Sequence, residues 1–258
     1  MAFPQTRLTM IEMLATGGTD DQWRAFVADY WGPVYGFCLR RGAANATIAE
    51  EVTSELFAVL WSKELLKRWE ANRQAKLRTL ICTVARNLLH ERFRDKKVQA
   101  LPAGDVAEHS EEADLFDSAW AEDLLRRSVD TLAMHYRRAG QGDYLRVFMG
   151  RVREGLSIRE VAELLQLPES KIDYCYRQVR DRLEAELQTL LREQLRQYCH
   201  GEPDADEFAL EWHRLGQLLG QHGGIERILA QIDPMLENGV RDRGIQATVT
   251  RLTTIRQR

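Results

Sequence analysis

From Leu77 to Leu89 the apolar residues Leu77, Leu80, Ile81, Val84, Ala85, Leu88 and Leu89 fall at i, i+3, i+4, i+7, i+8, i+11 and i+12. That spacing buries one stripe of a helix and leaves the opposite side polar. A strand, whose side chains change face at every residue, cannot sort the same residues this way. The pattern recurs. Apolar positions from Leu8 to Leu14, Trp23 to Leu39 and Ile48 to Leu66 predict three further helices, the first two separated by Gly17-Gly18-Thr19-Asp20-Asp21 as turn and cap. Arg68 to Gln74 reads as a polar break before the helix from Lys76 to about Lys96. Breakers are scarce, with 6 Pro and 17 Gly in 258 residues, and the expected fold class is all-α.

After Lys97 the periodicity stops. Residues 98–117 contain Pro102, Gly104 and much of an acidic block, and read as a linker, with helix resuming near Ser118. The expected organisation is therefore an N-terminal helical bundle at 1–97, the linker at 98–117, a second helical domain at 118–199 and a C-terminal extension at 200–258. The net charge of -3 conceals opposed blocks. Lys76 to Lys97 holds seven bases against two acids, whereas Asp105 to Asp123 holds eight acids and no Lys or Arg.

The second domain opens with helices over Trp120 to Arg138 and Tyr144 to Arg153, divided by Gly140-Gln141-Gly142. Leu145, Phe148, Met149 and Val152 share a face before Gly155. Ser157-Ile158-Arg159-Glu160 is a capping box: the Ser hydroxyl bonds the backbone N–H three residues on and the Glu reaches back. It starts a short helix with Ile158, Val161, Ala162 and Leu165 inward. Gln166-Leu167-Pro168 then makes a tight turn, and a second helix from Glu169 turns Ile172, Tyr176, Val179 and Leu183 inward and continues to about Tyr198. This is the spacing of a helix-turn-helix. Arg159 on the first helix and Ser170, Lys171, Tyr174, Arg177 and Gln178 on the second are the candidate DNA contacts, with Asp173 also outward. Long donors reach base edges, and a helix N-terminus with a hydroxyl suits phosphate. A plain helical hairpin within a bundle has the same spacing.

Cys38, Cys82, Cys175 and Cys199 lack metal-ligand spacing and read as buried thiols. The six His are scattered, and neither a Gly-rich phosphate loop nor a nucleophile motif occurs. The reading is of a protein that is not an enzyme, with no cofactor and no metal. With no leader-like start and no apolar stretch of spanning length, it is expected to be cytoplasmic, away from the membrane.

The stretch from Glu154 to Ile172, EGLSIREVAELLQLPESKI, resembles the fourth region of bacterial sigma factors, commonly EGLSYEEIAEILGIPEGTVKSR. Ala49 to Phe57 followed by Trp61 is similar to the DAEDLVQETFLRAW motif of the same family. Lys76 to Lys97, above all Thr83-Val84-Ala85-Arg86-Asn87-Leu88, is similar to its FRTWLLTVARNLALDHLRRRR. Three motifs in the family's order, covering about Leu8 to Leu195, make the chain resemble an extracytoplasmic-function sigma factor with a C-terminal extension. The resemblance implies a sigma region 2-like bundle and a sigma region 4-like helix-turn-helix domain. It further implies a partner, core RNA polymerase, bound through Glu50, Glu51, Glu55 and Trp61, and capture of promoter DNA in transcription initiation. The first-unit DNA contacts would be Asn72, Arg73, Lys76, Thr83, Arg86, Asn87, His90, Arg94 and Lys97. The residues agree chemically: Thr83, Arg86, Asn87, His90 and Arg94 lie opposite the apolar stripe and present donors to phosphates and exposed bases.

Some positions depart from the family pattern. Ile48 stands at the first acidic position of the docking motif, Leu80 where Trp is usual, and Asp173 and Cys175 at basic positions of the recognition helix. Beside Ile48, phosphorylation of Thr47, Thr53 or Ser54 by a Ser/Thr kinase would restore about -1.5 to -2 of charge. An anti-sigma factor is the other expected controlling partner. In the extension, Phe208 to Leu219 and Ile225 to Leu236 have helical spacing, while the basic, Thr-rich tail from Arg241 is expected to be disordered. Two other readings fit the residues: a helix-turn-helix regulator that never joins polymerase, and a helical adaptor that has lost DNA recognition.

Overall fold

The computed structural model describes residues 9–62, 64–71, 77–94, 106–198, 205–231 and 234–256. Among them the structure is all-α, with twelve helices and no strand. They are α1 (Thr9–Ala15), α2 (Asp20–Arg40), α3 (Ala46–Ser62), α4 (Leu65–Ala71), α5 (Leu77–Arg94), α6 (Val106–Arg138), α7 (Gly142–Val152), α8 (Ile158–Leu165), α9 (Glu169–Tyr198), α10 (Ala205–Gln221), α11 (Gly224–Gln231) and α12 (Pro234–Arg256). None of the described helices is long and apolar enough to cross a membrane.

The chain forms two compact units. The first comprises Met1–Trp120, Gln194–Glu207 and Asn238–Arg258; the second comprises Ala121–Glu193 and Phe208–Glu237. In the first, Thr19 caps α2, accepting from the Gln22 backbone while the Gln22 side chain accepts from Thr19 N–H. The turn between α3 and α4 places Glu64 at φ 48°, which divides the helix expected over Ile48 to Leu66. Leu66 is buried behind the break, and that burial extends helix through Arg68–Ala71, where a polar break was expected. The core is aromatic. Trp23 meets Trp61 at 4.7 Å and Phe26 at 5.8 Å, and Phe26 meets Phe57 edge-on at 5.8 Å. Each fully buried Phe contributes about 1.5–3 kcal/mol of transfer free energy.

Two expectations fail in the first unit. Helix resumes at Val106 rather than near Ser118, so the acidic stretch 106–117 is the start of α6 and not a linker. Phe116 anchors the segment by packing on Phe37 at 6.2 Å. The tail from Arg241 is likewise helix, within α12. Arg241 Nη2 donates to the Ala28 carbonyl at 2.6 Å, and Thr248, Val249 and Leu252 are buried. Gly244 presses against Trp31 so closely that a Cβ would fall on the indole.

The second unit is organised by α7, α8 and α9. Val147, Val161, Ala162, Ile172 and Cys175 form a small core, flanked by half-buried Leu156, Ile158, Leu165 and Tyr176. Tyr136 stacks on Tyr144 at 5.1 Å and Phe148 on Tyr176 at 6.2 Å. The part of the extension in this unit, α10 from Phe208 and α11, is held in part by Arg192 over the Phe208 ring at 4.2 Å.

Candidate nucleic-acid interface

The α8–α9 pair is built as its residues require. Ser157 accepts from the Glu160 backbone at 3.2 Å, and Glu160 Oε2 accepts from Ser157 N–H at 2.7 Å. These bonds hold the Glu160 carboxyl below its ordinary pKa, the Ser157 side chain being the larger cause. Gln166 ends α8 in the left-handed region at φ 54°, and Leu167 N–H returns to the Ala162 carbonyl, so the chain reverses within three residues. Gly155, at φ 67°, makes the corresponding turn between α7 and α8.

The first two turns of α9 sort cleanly. Ile172 and Cys175 are buried, while Ser170, Lys171, Tyr174, Arg177 and Gln178 are exposed. Burial pushes the Cys175 thiol pKa up, and burial raises the Cys38 thiol to about 12; both are inert packing residues. Cys82 is likewise a buried free thiol, and Cys199 lies outside the described residues. Two features of the exposed face were not read from the sequence. Lys171 Nζ sits 5.4 Å from the centres of both the Tyr144 and Tyr174 rings, a cation–π arrangement that fixes the ammonium near the helix start. Arg177 Nη2 pairs with Asp173 Oδ2 at 2.8 Å, one turn away. On α8, exposed Arg159 pairs with Glu163 at 2.9 Å, and Leu164 is 69% exposed beside them. The signal is its position, since Leu164 lies off the face formed by Ile158, Val161, Ala162 and Leu165.

In the first unit, α5 buries Leu77, Ile81, Val84, Ala85, Leu88 and Leu89 as its spacing predicts, with Leu80 half-buried. Asn87 is exposed; Arg86, His90 and Thr83 are half-buried, and the Thr83 hydroxyl donates to the Thr79 carbonyl at 2.7 Å. Arg94 lies at the end of α5, and Asn72, Arg73, Lys76 and Lys97 lie outside the described residues. The basic block counted from the sequence does not all face solvent. Arg78 is buried in an ion pair with Asp117 at 2.5 Å. Arg92 bonds both Glu51 and, at 3.0 Å, Glu55.

That second pairing bears on α3, where the sequence placed the candidate polymerase-docking acids. Two of its three candidate acids, Glu51 and Glu55, are engaged by α5, and Glu50 is half-buried. Trp61 is half-buried against Trp23 and borders a small cleft shared with Val249 and Leu252 of α12. The candidate phosphorylation site Thr53 requires correction. It is fully buried and its hydroxyl donates to the Ala49 carbonyl at 2.7 Å, so the fold has no room for a phosphoryl group there. Its place on the buried face is legible in retrospect, one residue after Val52 and three before Leu56. Thr47 is exposed and Ser54 half-buried.

Comparison with protein-family models, with curated proteins and with solved structures returns no significant match.

Proposed function

We propose that this chain is a sigma-type transcription initiation factor, with α8 and α9 reading duplex promoter DNA, α5 meeting the opened strand, and α3 docking on core RNA polymerase. The observation that carries the DNA reading is the exposed set Ser170, Lys171, Tyr174, Arg177 and Gln178 on the opening turns of one helix, directly after a three-residue reversal and over its own small core. Such a helix can enter a major groove without unpacking its domain. The polymerase assignment is supported by the ordered resemblance of α3, α5 and the α8–α9 pair to the sigma motifs. Thr47 and Ser54 are the positions at which a kinase would add charge to α3, and an anti-sigma factor would compete for the same helix.

A second reading draws on the Arg92 bridge. Glu51 and Glu55 are paired within the bundle, which lends support to a helix-turn-helix regulator that binds DNA without polymerase. Run-off transcription from genomic promoter fragments with purified core polymerase, beside duplex binding without core, separates the readings. Initiation that depends on the added chain supports the sigma factor. Tight duplex binding with no run-off supports the regulator. Neither activity overturns both and leaves the helical adaptor.

A further inference from the structure

The second unit contains a cleft of about 690 Å³ bordered by α7, α9, α10 and α11. Its size lies within the range of small-molecule sites. Phe148 and Val152 of α7, Leu183 and Leu187 of α9, Trp212 of α10 and Ile225 of α11 give it an apolar lining. Gly216 and Gly220, one turn apart on α10, also line it, and a Cβ added at either would meet nothing within 4 Å. Both weaken a helix interior relative to Ala, although space for a side chain is available. The wall is thus kept open at a cost to its own helix.

The rim is charged unequally. Asp181, Glu184 and Glu226 are exposed at it, against one arginine, Arg180, whose guanidinium lies 5.8 Å from the centre of the Tyr176 ring. Glu184 accepts only a long 3.5 Å bond from Gln188. We infer that this cleft is a binding site for a small apolar or aromatic molecule carrying a positive charge, its body against Trp212 and the leucines and its cation among the three carboxylates. An apolar anion would meet the same walls and a repulsive rim, so charge sign is the discriminating property. The inference is independent of whether the chain joins polymerase.

The test uses the full-length protein and three probes of closely similar size: 4-phenylbutylammonium, 4-phenylbutanol and 4-phenylbutanoate. Binding is followed by the NMR shift of the Trp212 indole N–H, assigned with Trp212→Phe. The ammonium should bind at least tenfold more tightly than the carboxylate, with the alcohol between. Gly216→Leu/Gly220→Leu should abolish the response while helicity by circular dichroism is kept or raised. Glu184→Gln/Glu226→Gln, a surface change, should erase most of the preference for the cation without loss of the fold. Equal or tighter binding of the carboxylate, an unchanged response in the leucine variant, or no response to any probe overturns the proposal.

Discussion

Arg78 and Asp117 form a buried ion pair across α5 and α6, with Nη1 and Oδ2 2.5 Å apart and side chains only 9% and 6% exposed. Removing one partner of such a pair strands the other charge in the interior, which costs far more than exchanging both for apolar groups. Asp117→Ala should therefore destabilise the first unit by about 3–5 kcal/mol. The double variant Arg78→Met/Asp117→Leu should recover most of that loss. Urea denaturation of the two variants measures the difference directly.

The Arg92 bridge is more accessible, its side chain 33% exposed and those of Glu51 and Glu55 48% and 33%, so solvent screening limits its worth to below about 1 kcal/mol. Its consequence is for binding. Arg92→Gln should leave the melting temperature nearly unchanged and release two carboxylates on α3. If α3 docks on core polymerase, affinity measured by anisotropy should rise several-fold. An unchanged affinity removes Glu51 and Glu55 from the docking surface.

The glycines of the extension divide by environment. A Cβ at Gly244 falls on the Trp31 ring, so Gly244→Ala should destabilise by about 1–3 kcal/mol through overpacking. Gly216→Ala, where the space is empty, should instead stabilise by up to about 1 kcal/mol. Opposite shifts of the melting temperature from the same substitution check both packing environments.

Capping at Ser157 links the α8–α9 pair to pH. Ser157→Ala should cost about 1 kcal/mol. Glu160 has a depressed folded-state pKa, caused first by its bond with the Ser157 side chain and then by that with the Ser157 backbone, so its contribution is present above the unfolded value. It fades as pH falls from about 4.5 through the lower folded value. The Ser157→Ala variant should accordingly lose less stability than the parent over that acid range, measured by thermal melts at successive pH values.

What could be read in advance depended on the distance over which each interaction acts. The capping box, the Gln166-Leu167-Pro168 reversal and the apolar stripe of α5 are local, and each appears in the structure at its expected residues. The bridge from Arg92 to Glu51 and Glu55 spans 41 and 37 residues, and the contact of Gly244 with Trp31 spans far more. No helical period reports such pairings. The start of α6 was obscured because a dense acidic run looks like a solvated linker until Phe116 is seen docked on Phe37. Among the candidate site residues, exposure followed the helical period on α9, whereas on α3 and α5 tertiary ion pairs claimed side chains that the period alone placed in solvent.

The remaining prediction concerns Asp173, which stands where the sigma pattern is basic and holds Arg177 at 2.8 Å. The pair is on the exposed face, the Arg177 and Asp173 side chains 66% and 44% exposed, so little stability rests on it and Asp173→Ala should leave the fold intact. If α9 meets DNA, the pair acts twice against affinity: the carboxylate repels phosphate, and the arginine it holds is not free to reach one. Asp173→Ala should raise duplex affinity by about tenfold at moderate salt and steepen the dependence of log K on log salt by about one. Arg177→Ala should move both quantities the other way. A paired change in slope reports charges at these two positions that meet phosphate, so filter-binding titrations at several salt concentrations test the assignment of α9 itself. Identical slopes in the parent and both variants would take Arg177 off the DNA-facing surface.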